Sequence, residues 1–131
     1  MSGRSWGKSH KYSARKSWAC ENCRTPSPQS GNCPKCGHEL TKFDSKAERN
    51  HWYELALLQD SGLIAGMVIQ PRFPIVIEGV EVGRYYGDFA YTDEHGAYRV
   101  IDVKGQDTAL SRFKRKCVKA QYGIDVEIVK K

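Results

Sequence analysis

The chain has 131 residues, 40% hydrophobic and 27% charged, and its 21 Lys+Arg against 15 Asp+Glu give a net charge of +6. That length excludes a multi-domain machine and leaves room for one ordinary domain, or for a small domain with an accessory module. Its longest apolar runs are only a few residues, which excludes a bilayer-crossing helix and a signal-peptide pattern, so a soluble, cytoplasmic protein with no membrane partner is expected.

The charge is unevenly placed. Residues 1–47 hold nine basic and three acidic residues and so carry the whole surplus, while the remaining twelve of each sign cancel. This break suggests a basic arm on a near-neutral domain, and a basic arm suggests a polyanionic partner, most often nucleic acid. The first sixteen residues are rich in Ser, Gly and Lys/Arg without an apolar period, too little to offset the entropy of ordering, and residues 1–18 read as a flexible tail. Trp6, His10 and Tyr12 alternate there with Lys8, Lys11, Arg15 and Lys16, a mixture suited to base stacking beside phosphate contacts; a purely solubilising tail would have the same composition.

Residues 19–41 change character. Cys20-Glu-Asn-Cys23 and Cys33-Pro-Lys-Cys36-Gly37 are two paired-cysteine knuckles separated by nine residues, a spacing that places four thiolates at the corners of a tetrahedron for Zn²⁺. A redox pair or two disulfides are the competing readings, and the apparent intracellular setting favours metal. The second knuckle resembles those of zinc ribbons and rubredoxins, where the glycine turns the backbone so that amides face the sulfurs. Arg24 stands at the equivalent place in the first knuckle. Four cysteines leave His38 as a bystander, and a module this small needs its metal to hold together.

Residues 42–131 read as one mixed domain. Asp44-Ser45 before Lys46 and Gly62 after Asp60 bracket a helix over 46–60. Strands are expected over 67–70, 74–78 turning at Gly79 toward Val82, 85–92 and 98–104, with Asp93-Glu-His-Gly96 closing a hairpin between the last two. A second helix is expected over about 108–121, with Leu110, Phe113, Cys117 and Ala120 on the core face and Arg112, Arg115, Lys116 and Lys119 pointing elsewhere, before a closing strand over 124–129. Cys117 on that stripe reads as a small core residue.

Alternation along 98–104 puts Asp102 and Lys104 on one face, and Asp88 on the preceding strand can approach Asp102 across the hairpin. Two adjacent carboxylates repel unless a cation lies between them, although strand-end aspartates that simply pair with Lys104 or Arg99 would leave the same trace. Glu48 falls on the apolar stripe of the first helix with Trp52 and Leu55, where a carboxylate needs a partner; Ser45-Lys-Ala-Glu48 also fits a capping box.

The order of helix, antiparallel strands with Asp on one and Asp-x-Lys on the next, basic helix and final strand resembles the restriction-endonuclease-like PD-(D/E)xK fold. More closely, Phe43-Asp-Ser-Lys-Ala-Glu48, Gln70-Pro-x-Phe73, Gly87-Asp88-Phe89 and Asp102-Val-Lys-Gly105 followed by Thr108 resemble a family of small phage-encoded proteins assigned as endonucleases and related to the phage enzymes that resolve Holliday junctions. The likeness covers about residues 42–130. It implies that Asp88 and Asp102 ligate Mg²⁺ or Mn²⁺ with help from the Val103 carbonyl, that Glu48 completes the metal shell, and that Lys104 orients the attacking water or offsets charge on the phosphorane. Gly87 stands where the motif's name has proline. Gln121 and Tyr122 fall where some superfamily members carry active-site residues. Arg112, Arg115, Lys116 and Lys119 would then contact phosphates, though a solvated face is the plainer reading of any charge run.

The expected fold is therefore an α/β restriction-endonuclease-like core with a small N-terminal zinc-ribbon module of four cysteine ligands. The expected activity is metal-dependent endonucleolytic hydrolysis of DNA phosphodiesters, on branched four-way-junction DNA if the family likeness extends to substrate, which would call for a homodimer. A nicking, restriction-like or genome-processing phage nuclease has the same chemistry, and a non-catalytic zinc-ribbon DNA-binding adaptor is the rival from another class.

Overall fold

The computed structural model describes residues 16–130. Lys8, Lys11 and Arg15, three of the cations expected on DNA, lie outside the described residues. The molecule is mixed α/β and divides into two compact units with the boundary after Tyr53.

The N-terminal unit has a three-stranded antiparallel sheet of order β2-β1-β3, made of β1 (Ser17–Ala19), β2 (Pro26–Ser27) and β3 (Thr41–Phe43). Ser17 and Trp18, counted in the expected tail, lie in β1. Ser17 and Ala19 are buried and Trp18 packs against the cluster of Cys20, Cys33 and Leu40, so this short run has both ladder and apolar contacts to order it. Helix α1 (Lys46–Asp60) has the expected limits: the Ser45 hydroxyl accepts from the Glu48 amide at 3.0 Å, and Gly62 beyond the last turn takes φ +84°. Glu48, Trp52, Leu55 and Ala56 form its buried face, and Trp52 packs on Phe43 with ring centroids 5.4 Å apart.

The C-terminal unit has a four-stranded sheet of order β4-β7-β8-β9, from β4 (Ala65–Ile69), β7 (Phe89–Thr92), β8 (Tyr98–Lys104) and β9 (Val126–Lys130). The first three pair antiparallel; β9 returns parallel to β8 after helix α2 (Ala109–Tyr122). Between β4 and β7 the chain makes a separate antiparallel hairpin, β5 (Arg72–Ile77) and β6 (Val80–Tyr86). The expected single strand over 85–92 is therefore two strands in two sheets. Pro71 has no amide to donate and Gln70 takes φ +55°, which ends β4; the chain re-enters at Gly87-Asp88, where Gln70 N–H donates to Asp88 C=O (2.8 Å) and Gly87 N–H to Pro71 C=O (3.0 Å).

Helix α2 differs from expectation in the face it buries. Its limits hold, with Thr108 capping the Ser111 amide and Gly123 at φ +72°, but Leu110 and Phe113 are exposed and Val118 is buried among Phe73, Tyr85, Ala90 and Val100. The helix lies on the β5–β6 hairpin: Gln121 accepts from Val76 N–H at 3.0 Å, and the Tyr122 hydroxyl donates to Pro74 C=O at 2.6 Å while its ring meets Phe73 edge-on. Gln121 and Tyr122 thus serve the packing of the helix. Cys117 is half-buried beside Val118. Among the described residues no helix is long and apolar enough to cross a membrane.

Candidate functional site

Two constellations stand out, one in each unit. In the first, Cys20, Cys23, Cys33 and Cys36 bring their sulfurs within 4.8 Å of one another. Cys20 and Cys36 are 3.3 Å apart, Cys23 and Cys33 3.4 Å, and Cys23 and Cys36 3.7 Å. Disulfides, with sulfurs about 2.0 Å apart, are excluded. A tetrahedron with metal–sulfur bonds of about 2.3 Å has edges of about 3.8 Å, so the cluster can hold a metal such as zinc.

The two knuckles are built alike. In each, the residue after the second cysteine donates its amide to the carbonyl of the first, Arg24 to Cys20 at 2.7 Å and Gly37 to Cys33 at 2.8 Å; the amides of Cys20 and Cys33 in turn bond Thr25 and His38 carbonyls. Both turns need a left-handed residue. Gly37 supplies φ +79°, and Arg24 adopts φ +65° in the same role, so its side chain does not alter the turn but strains it.

The polar surroundings of the sulfurs differ. The His38 backbone amide, then the Cys20 thiol and the His38 ring, lower Cys36 to about 5, and His38 Nδ1 lies 3.3 Å from its sulfur. The Thr25 hydroxyl and amide lower Cys23. At Cys20 the Cys23 amide pulls downward, but burial and the Cys36 thiol outweigh it and push the thiol up to about 11. Amide and hydroxyl donors facing sulfur stabilise thiolate, the form a metal needs.

The second constellation lies where β7 begins beside the end of β8. Asp88 N–H donates to Ile101 C=O (3.0 Å) and the Val103 amide donates to Asp88 Oδ2 (2.7 Å), so Asp88 is anchored to both neighbours of Asp102. Asp102 is 3% exposed, and Lys104 Nζ lies 3.3 Å from its Oδ2. The structure thus brings together Asp88, Asp102, Val103 and Lys104. Glu48 belongs to the N-terminal unit, buried in the first turn of α1 with its amide capped by Ser45.

At Gly87 there is no room for a side chain. A Cβ there would lie 2.9 Å from Val100 Cγ1 and 3.3 Å from Pro71 Cγ, and proline could not make the bond that Gly87 N–H gives to Pro71 C=O. The residue before Asp88 is fixed by close approach.

Sequence periodicity misses two members of this site. Tyr85, on β6, is buried and donates its hydroxyl to Asp102 Oδ2; burial, reinforced by the Asp102 carboxylate, pushes that hydroxyl well up, so it remains a donor. Arg115 does not point to solvent as expected. Its side chain is 13% exposed, with one amino group 2.5 Å from Asp107 Oδ2 and the other 2.8 Å from Ser111 Oγ, and its charge acts on the Tyr85 hydroxyl. Arg115 in turn holds the Asp107 carboxyl below the usual range. Two donor–acceptor pairs thus meet here, Arg115 on Asp107 and Tyr85 with Lys104 on Asp102, and their only sequence signal is the excess of polar residues on an otherwise amphipathic helix.

Arg112, Lys116 and Lys119 remain on the outer side of α2 and line a cavity of about 470 Å³ with Ile124, Asp125 and Val126. Lys119 pairs with Asp125 at 2.6 Å, both largely exposed, a contact of little energetic weight.

No curated protein and no solved structure gives a significant match to this chain. Residues 32–130, which take in the second knuckle, α1 and the whole C-terminal unit, match the model of a family described as "Protein of unknown function (DUF1064)", and the chain belongs to that family.

Proposed function

We propose that the protein is a metal-dependent DNA endonuclease with a PD-(D/E)xK core and an N-terminal zinc-binding module. One observation carries the reading: Asp88 is tied by its own amide and by the Val103 amide to the residues that flank Asp102, with Lys104 on the same face. Carboxylate and carbonyl oxygens are the donors that hard divalent cations take, and two acids on adjacent strands invite one. The order antiparallel strands, basic helix, parallel strand supports the same reading.

In this reading Asp88, Asp102 and the Val103 carbonyl hold Mg²⁺ or Mn²⁺. The bound cation supplies Lewis-acid activation of water and offsets charge on the phosphate. Lys104 turns from Asp102 toward the scissile phosphate, where it orients water and stabilises developing negative charge. Tyr85 positions Asp102 by donating to one carboxylate oxygen. Branched DNA, four-way junctions first, is the substrate that the resemblance implies; symmetric cleavage needs two such sites and hence a homodimer. The rival, a non-catalytic DNA-binding adaptor, rests on the Lys104–Asp102 ion pair, which by itself balances the buried acid.

Four-way junction, flap, duplex and single-stranded DNA offered side by side with Mg²⁺ or Mn²⁺ decide between them. Asp102→Asn and Lys104→Ala should each abolish cleavage, by a factor of roughly 10³ or more, while DNA binding persists. Cleavage that survives both substitutions would refute the assignment.

A further inference from the structure

We propose that the N-terminal unit carries a phosphate site of its own, formed by Lys16, Lys46 and Arg49, that grips the sugar–phosphate backbone of nucleic acid. These three cations line one cavity of about 450 Å³ together with Pro26, Ser27 and Pro28. The inference rests on the nucleic-acid reading above but not on cleavage.

Three independent features point to an oxyanion ligand. Lys46 and Arg49 are one turn apart at the start of α1, so both side chains face the same side. The first intrahelical bond runs from Arg49 N–H to Ser45 C=O (3.1 Å), and Ser45 Oγ takes the Glu48 amide; the amides of Lys46 and Ala47 precede that bond and add the positive end of the helix. Arg49 Nε is buried and has no hydrogen-bond partner among the described residues, while its guanidinium carbon stands 5.9 Å from the Tyr53 ring centroid. Arg49 lines the cavity, and its guanidinium fork suits a phosphate oxygen. Lys16 makes a weak 3.9 Å contact to Asp44, both more than half exposed, and is readily recruited.

The lining also says which phosphate. Besides the cations it presents proline rings and serines, with no aromatic ring or side-chain amide to read a base. Such a surface suits a phosphodiester and its sugar, a contact that positions without specifying sequence.

The test is the salt dependence of binding. Full-length, zinc-loaded protein is titrated against fluorescent four-way-junction and duplex DNA without Mg²⁺ or Mn²⁺, from about 50 to 300 mM salt. The Lys46→Gln/Arg49→Gln variant should bind about 10- to 100-fold more weakly near 100 mM salt, with the log–log slope reduced by about two. Lys16→Gln should lower the slope by about one, and serves if the double variant loses zinc or melts early. Lys35→Gln/Lys42→Gln, exposed cations outside the cavity, should change both much less. Unchanged slopes in the cavity variants, or an equal loss in the Lys35/Lys42 control, would overturn the proposal. So would millimolar inorganic phosphate stabilising the wild type, but not the cavity variants, while DNA slopes stay equal, because the site would then serve a free anion. The nuclease reading is read from cleavage and this site from the slopes of the cavity variants, so either can fail without the other.

Discussion

The two units reach order by different routes. In the N-terminal unit the cluster around the knuckles is Cys20, Cys33 and Leu40 with Trp18 at its edge, and two of those three buried side chains are metal-ligand candidates. In the C-terminal unit Phe73, Tyr85, Ala90, Val100 and Val118 close a conventional apolar core across two sheets and a helix. The lesson is that burial alone explains the second unit, whereas the first gathers four sulfurs that could share a metal such as zinc. The same logic recurs on a smaller scale at Asp88 and Asp102, where amide, hydroxyl and ammonium donors already surround the acids.

Removing metal should break this comparison most sharply. Structural zinc contributes on the order of 10 kcal/mol to small modules, so chelation, or Cys20→Ser/Cys23→Ser, should melt the fold around the knuckles and release about one equivalent of zinc per chain. Amide exchange should then become fast at Cys33 and Leu40, whose amides bond His38 and Gly31 carbonyls, and remain slow in β7 and β8. Loss of protection in both units together would show that the division after Tyr53 is not an energetic one.

Gly87→Ala should do the reverse. The new methyl would sit 2.9 Å from Val100 Cγ1, and relief requires the strand crossing to open, at a cost of about 1–3 kcal/mol in the C-terminal unit. Chemical denaturation should show that loss with zinc content unchanged. The smallest effect is expected at Arg24→Gly, which relieves the left-handed strain in the first knuckle. It should raise the stability of the metal-bound unit by about 0.5–1 kcal/mol, seen as slower zinc release to a chelator, and leave the other unit unaltered.

Features set by local chemistry are legible in the amino-acid order. The knuckles depend on four cysteines and two tight turns, α1 on Ser45 and Gly62, and the β7–β8 hairpin on Asp93-Glu-His-Gly96, whose Asp93 side chain accepts the His95 and Ala97 amides. Asp88, Asp102 and Lys104 are legible too, because strand alternation and one hairpin suffice to place them together. What periodicity cannot supply is choice of partner. Leu110 and Phe113 look like a core stripe, yet α2 rests on a hairpin through Ser111, Arg115 and Val118, since Asp107 can satisfy a buried guanidinium. Tyr85 through Thr92 reads as one run of strand formers, and only the left-handed Gln70 and the Gly87–Pro71 bond separate it into two sheets. The strand at Trp18 likewise depends on pairing with Lys42 of β3, more than twenty residues later.

The crossing at Gln70-Pro71 and Gly87-Asp88 also sets what can vary. The chain leaves the four-stranded sheet and rejoins it at two adjacent points tied by a pair of backbone bonds, and the excursion between them turns over at Glu78-Gly79, both left-handed, with Ile77 and Val80 exposed on either side. Residues can be added or lost at that tip without shifting the register of β7 on β8. The acidic pair is thereby insulated from changes in hairpin length, so relatives with longer or shorter excursions can acquire new surfaces while the strand ends keep their alignment.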